Sequence, residues 1–166
     1  MTTTKSGADG YRIEPLRWWD LPSVRAIESE LYPDTAWSVA TFWSEISQIP
    51  KTREYFVIVL DVGAPEVFGY GGLSVSGRQA DVQTLAVKSE VQRRGLGRAL
   101  LDYLLACSAA RGAKEVLLDV GGTNEPAIRL YQQSGFDEII RRKGYYRGYE
   151  ETVVMRKSLA GVDLRV

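Results

Sequence analysis

Histidine is absent from all 166 residues, and cysteine occurs once, at Cys107. Without an imidazole there is no Ser-His-Asp or Cys-His catalysis and no histidine general base. Most zinc sites go too, since they draw on imidazole or on several thiolates. A lone cysteine excludes a disulfide within the chain. No apolar run approaches the ~18 residues of a membrane span, and Met1 to Gly10 has no apolar stretch of the secretory kind. An excess of either charge is also missing: Lys+Arg and Asp+Glu both number 21. No global basic field is therefore available to hold nucleic acid directly. The expectation is a cytoplasmic, metal-free protein that binds neither nucleic acid nor membrane. It would have a flexible leader over residues 1–10, one domain over 11–158 and a tail over 159–166.

Apolar residues make up 45% of the chain, enough for a full core. Tyr11 to Leu16 reads as a strand; Asp20 is the expected cap of a helix with Pro22 in its first turn, and Ser38 that of a second helix over Val39 to Ile46. Tyr55 to Leu60, Val67 to Val75 and Gln79 to Val87 read as strands, punctuated by turns at Gly63-Ala64-Pro65 and Ser76-Gly77-Arg78. The period then lengthens. Leu96, Leu100, Tyr103, Leu104 and Cys107 form one helical stripe, which Gly112 stops. Glu115 to Val120 is an apolar strand, Asn124 an N-cap before Pro126, and Gly135 a second stop. Phe136 to Arg141 and Glu151 to Met155 are the last strands. The pattern predicts an α/β (α+β) domain: a mixed sheet of about six or seven strands with helices on both faces.

The densest chemical signal is Leu85-Ala86-Val87 followed by Gln92-Arg93-Arg94-Gly95-Leu96-Gly97-Arg98. A buried strand runs through a loop into a long helix whose first turn holds glycine. Such a turn leaves main-chain N–H groups unpaired, its dipole favours an anion, and glycine lets a pyrophosphate approach the backbone. No Lys-Ser/Thr follows, which excludes a nucleoside-triphosphate loop, and the third glycine of a dinucleotide fingerprint is missing. On the glycines alone, a plain turn before an arginine-capped helix fits equally well.

Gln92-Arg93-Arg94-Gly95-Leu96-Gly97, after a strand ending in apolar-Ala-Val, resembles the signature of the GNAT acetyltransferases. A second segment of that pattern follows at Asn124, Ala127, Leu130-Tyr131 and Ser134-Gly135-Phe136. The likeness covers the chain after Gly10. Ala36-Trp37-Ser38, Asp81 to Val87 and Gly144-Tyr145-Tyr146 with Val154-Met155 are similar to segments of the bacterial ribosomal-protein-alanine N-acetyltransferases.

The resemblance implies acetyl-CoA as cosubstrate and direct transfer to a primary amine in a ternary complex. It puts acetyl-CoA along Leu85, Ala86 and Val87, with the pyrophosphate over Arg93, Arg94, Gly95, Leu96, Gly97 and Arg98, and Asn124 at the pantetheine arm. Tyr131 takes the position of the general acid, although spacing alone fits a core aromatic as well. Tyr32, Trp37, Tyr145 and Tyr146 would line the acceptor groove. Where the family reads Leu-Glu-Val-Arg, with the glutamate as proposed base, this chain has Leu118-Asp119-Val120-Gly121. Asp119 is shorter by a methylene, which leaves three roles open: direct base, base through a water, or a polar strand end. A peptide α-amine, with a reference pKa near 7.7–8.0, is about a tenth neutral at pH 7, far more than lysine at ~10.4. That favours a protein N-terminus, the alanine of a ribosomal protein first. A small-molecule amine is the second reading, and a non-catalytic acyl-CoA sensor the third. Monomer and homodimer both remain open.

Overall fold

The computed structural model describes residues 5–6, 10–146 and 149–159, with side chains for 10–60, 63–144 and 150–159. Eight strands form one sheet: β1 (Lys5–Ser6), β2 (Tyr11–Pro15), β3 (Arg53–Val62), β4 (Ala64–Ser76), β5 (Gln79–Val87), β6 (Glu115–Gly121), β7 (Asp137–Tyr146) and β8 (Tyr149–Ser158), in the order β1-β2-β3-β4-β5-β6-β8-β7. The seven longer strands sit where the apolar segments predict them. The extra one, two residues long, pairs with β2 from within the stretch read as a leader. Residues 160–166, most of the expected tail, lie outside the described residues.

Four helices cover the sheet: α1 (Leu21–Leu31), α2 (Val39–Ile46), α3 (Leu96–Ala110) and α4 (Glu125–Gln133). Alternation along β3 divides the core. Phe56, Ile58 and Leu60 join the α3 stripe of Leu100, Leu101 and Leu104 on one face. Tyr55, Val57 and Val59 join Val24, Ile27 and Phe42 of α1 and α2 on the other. This is the period-two geometry of a strand buried on both sides. Gly71 sets how close α3 can come, because a Cβ there would meet the Leu100 side chain at 3.1 Å.

Two of the three expected caps form. Ser38 accepts from the Thr41 N–H at 3.1 Å, and Asn124 from the Ala127 N–H at 3.3 Å. Asp20 does not cap α1. Its own backbone is already helical (φ −81°, ψ −16°), and its carboxylate accepts the Arg17 N–H at 2.8 Å, closing a short 3-10 turn before the helix. Cys107 is half-buried on α3. Burial first, then the nearby Glu54 carboxylate, push its thiol up to about 11 against the opposing pull of Arg111. It is therefore protonated at neutral pH and a poor nucleophile.

Candidate active site

The site originates in a parting of two strands. β5 and β6 are parallel and pair only from Gln79–Val82 to Glu115–Leu118. On its other side β5 pairs Val82 with Leu73 and Thr84 with Gly72, so Gln83 is an extra residue in the ladder. A bulge of this kind bends its strand, and β5 leaves β6 from that point. Main-chain groups of residues 83–87 that face away from β4 thus look into a gap. Two cavities occupy it, one of about 690 Å³ toward α3 and one of about 270 Å³ toward α1. Tyr32, Leu85, Asn124, Ala127 and Tyr131 line both, so they form one continuous cleft.

The arm toward α3 suits an anion. The loop after β5 is closed by Gln92, whose Nε2 donates to the Val87 carbonyl at 2.9 Å. Arg93 then adopts a left-handed backbone (φ 63°), and Gly95 another (φ 79°), a conformation that glycine tolerates and other residues resist. That path turns the chain abruptly into α3, whose first turn has no side-chain cap. Its leading N–H groups are free to hold a diphosphate, with the helix dipole in support. Leu85, Ala86, Val87, Arg93, Gly95, Gly97 and Arg98 line this arm, and Asn124 stands where the arms join. Arg94 is exposed beside the lining, and Leu96 points its side chain into the core. The uncapped amides and three lining guanidiniums, those of Arg93, Arg98 and Arg129, fit the phosphorylated end of acetyl-CoA.

The arm toward α1 is acidic. Glu28, Asp81 and Asp119 line it, and no lysine or arginine does among the described residues. Tyr131, only 8% exposed, reaches it from α4 and meets Phe136 edge-on at 5.9 Å between ring centroids. Asp119 and Tyr131 therefore share one cavity, an arrangement that a proton acceptor and a donor serving one reaction would require. Tyr32 lines it as well. Trp37 does not: its ring packs on Phe42 at 5.3 Å, because Phe42 fills the core beneath it. The side chains of Tyr145 and Tyr146, which end β7, lie outside the described residues.

Glu28 is a site residue that sequence reasoning missed. It is 4% exposed, accepts the Trp37 N–H at 2.9 Å through Oε1, and accepts the Tyr70 hydroxyl through Oε2. The carboxylate thereby ties the segment after α1 to β4 and fixes the wall that carries Tyr32 and Thr35. Its signal was available: Glu28 stands in the apolar stripe of Val24, Ile27 and Leu31, where a charge needs a buried partner. Thr152 on β8 also lines this arm and carried no signal.

The sequence profile described as Acetyltransferase (GNAT) family matches residues 14–136. The [Ribosomal protein bS18]-alanine N-acetyltransferase of Salmonella typhimurium is 30% identical to the chain, over 86% of it and 94% of the relative. The N-alpha-acetyltransferase RimI of Mycobacterium tuberculosis is 34% identical over 73% of the chain and 75% of its own length. The crystal structure of the ribosomal-protein-S18-alanine N-acetyltransferase from Escherichia coli superposes with a TM-score of 0.77 at 30% identity, covering 94% of this chain and 99% of that one.

Proposed function

The chain belongs to the GNAT family and is an N-acetyltransferase, and from that premise we propose that it acetylates the α-amine at a protein N-terminus, with alanine of a ribosomal protein as acceptor. The observation that carries this reading is the division of the cleft. An arm fit for a diphosphate meets an arm lined by three carboxylates, with Tyr131 in both. An acidic arm attracts an ammonium group and opposes an anionic acceptor. The relatives named for alanine acetylation of ribosomal protein bS18 support the acceptor class.

When bound, acetyl-CoA supplies the thioester acetyl group. One C–N bond forms as one C–S bond breaks, and protons must move to match. In this reading Asp119, directly or through a water, takes the proton that the amine gives up. Tyr131 donates its phenolic proton to the departing sulfur, and solvent restores both residues. Val87 ends the strand whose main-chain N–H would polarise the thioester carbonyl. Asn124 both caps α4 and faces the cleft, which suits a contact with the pantetheine arm.

A second reading, a small-molecule amine, is favoured by one observation: Trp37 is not among the residues around the acidic arm, whose aromatic walls among the described residues are Tyr32 and Tyr131. Mass spectrometry separates the two. Peptides beginning with alanine, the same peptides blocked at the α-amine but containing lysine, and a panel of polyamines are each incubated with enzyme and acetyl-CoA. The expected product is the α-acetylated peptide. Turnover of polyamines alone, or modification confined to lysine, overturns the proposal.

A further inference from the structure

Thr152 stands out within the acidic arm. The residue is 4% exposed and lines the cavity, while its hydroxyl oxygen is closed to solvent and has no hydrogen-bond partner among the described residues. A buried hydroxyl left unmatched weakens a fold. Valine, nearly the same shape, follows at Val153 and Val154, so this strand readily accommodates an apolar β-branched residue. Keeping the hydroxyl at a cost in stability points to a use for it.

Its neighbours suggest the use. On the β6–β8 ladder Thr152 lies directly opposite Gly121, and Val154 opposite Asp119. Directly opposed residues share a face, as do residues two apart, so Asp119 and Thr152 are diagonal neighbours roughly 7–8 Å apart, a span one small polar group can bridge. Gly121, between them on β6, adds no side chain to that span, and it too lines the cavity. We propose that Thr152 is a positioning residue for the acceptor: its side chain turns about the Cα–Cβ bond to present the hydroxyl to the cavity, where the oxygen accepts one N–H of the incoming amine and turns the nitrogen's other proton toward Asp119. This rests on the acetyl-transfer reading above. It also suits the short carboxylate at 119, with Thr152 holding the nitrogen where Asp119 can serve it.

Three forms of the full chain test this: wild type, Thr152→Val and Thr152→Ser. Thermal unfolding and steady-state kinetics are measured on each, using the Ala-peptide or whichever polyamine the wild type acetylates. Valine should unfold at the wild-type temperature or higher. It should lose about tenfold in kcat/KM for the amine, the value of one ordinary hydrogen bond, with KM for acetyl-CoA unchanged. Serine should restore most of the rate. The wild-type product pattern reports on the acceptor class and the valine-to-wild-type ratio on Thr152, so the two readings fail separately. Wild-type kcat/KM in Thr152→Val overturns the proposal. So does a loss that follows a lower unfolding temperature and that serine does not rescue, since that marks a packing role.

Discussion

The two arms of the cleft meet at Tyr131 but are built from different parts of the chain. The larger arm takes its main-chain amides and two of its arginines from one continuous piece, residues 85–98, with α4 and the end of α1 closing the other side. The smaller is assembled from α1, β5, β6, α4 and β8, and it offers side chains whose charges are all carboxylates. Main-chain recognition of a diphosphate depends on loop path, so it needs glycines at set spacings and leaves a local motif. Side-chain recognition of an amine can draw on any element that reaches the cavity, so the acceptor can differ among chains that keep the same loop. Changes in one arm should therefore leave the other's ligand unaffected, and that separation can be attacked directly.

The largest effect belongs to the residue that both arms share. Tyr131→Phe removes only the phenolic oxygen, so stability should barely change while kcat falls about a hundredfold or more, the usual range for a general acid. Rapid-quench or steady-state assays with saturating peptide and acetyl-CoA measure this. An undiminished kcat would mean the arms do not join at a proton donor, and Tyr131 would be a core aromatic against Phe136.

Next comes the wall of the acidic arm. Glu28→Ala strips the partner from the buried Tyr70 hydroxyl and from the Trp37 N–H. Hydrogen bonds to a charged group are worth about 1.5–3 kcal/mol each, so a loss near 3 kcal/mol is expected, or roughly 10 °C in Tm. As the segment after α1 loosens, KM for the amine should rise several-fold while coenzyme A affinity holds. Calorimetry and kinetics on the variant check both. An equal loss for both ligands would show that the arms are mechanically one.

How much of this was legible follows the same division. The strands, helices and Gln92–Arg98 loop could be read because each is set by local periodicity or by turns that need glycine, as at Gly95. Even there Gln92 held a surprise, since its amide closes the loop onto Val87. Asp20 misled because a 3-10 turn claimed its carboxylate first. In the acidic arm, Asp119 and Tyr131 were singled out through resemblance rather than spacing. Trp37 was read as lining but is not among the residues around either cavity, because where a half-buried ring settles depends on its tertiary neighbour, here Phe42. Thr152 could not be found at all: β-branched residues suit strands whether or not their hydroxyl has a task.

The smallest effects test what grips the anion. Arg93 and Arg98 line the larger arm, and Arg98 already gives its Nε to Asp102 at 3.2 Å. Exposed ion pairs are worth about 1 kcal/mol or less, so Arg93→Ala should weaken coenzyme A binding roughly fivefold, and Arg98→Ala less. Salt sharpens the test, because it screens side-chain charge at the surface far more than it weakens amides fixed at a helix start. Wild-type affinity should therefore fall between low and physiological salt, and the double variant should show a flatter dependence yet still bind. Titration calorimetry with coenzyme A at two ionic strengths measures both slopes. If the double variant loses binding altogether, the arginines rather than the uncapped amides of α3 hold the diphosphate, and the arms differ only in the sign of their side chains.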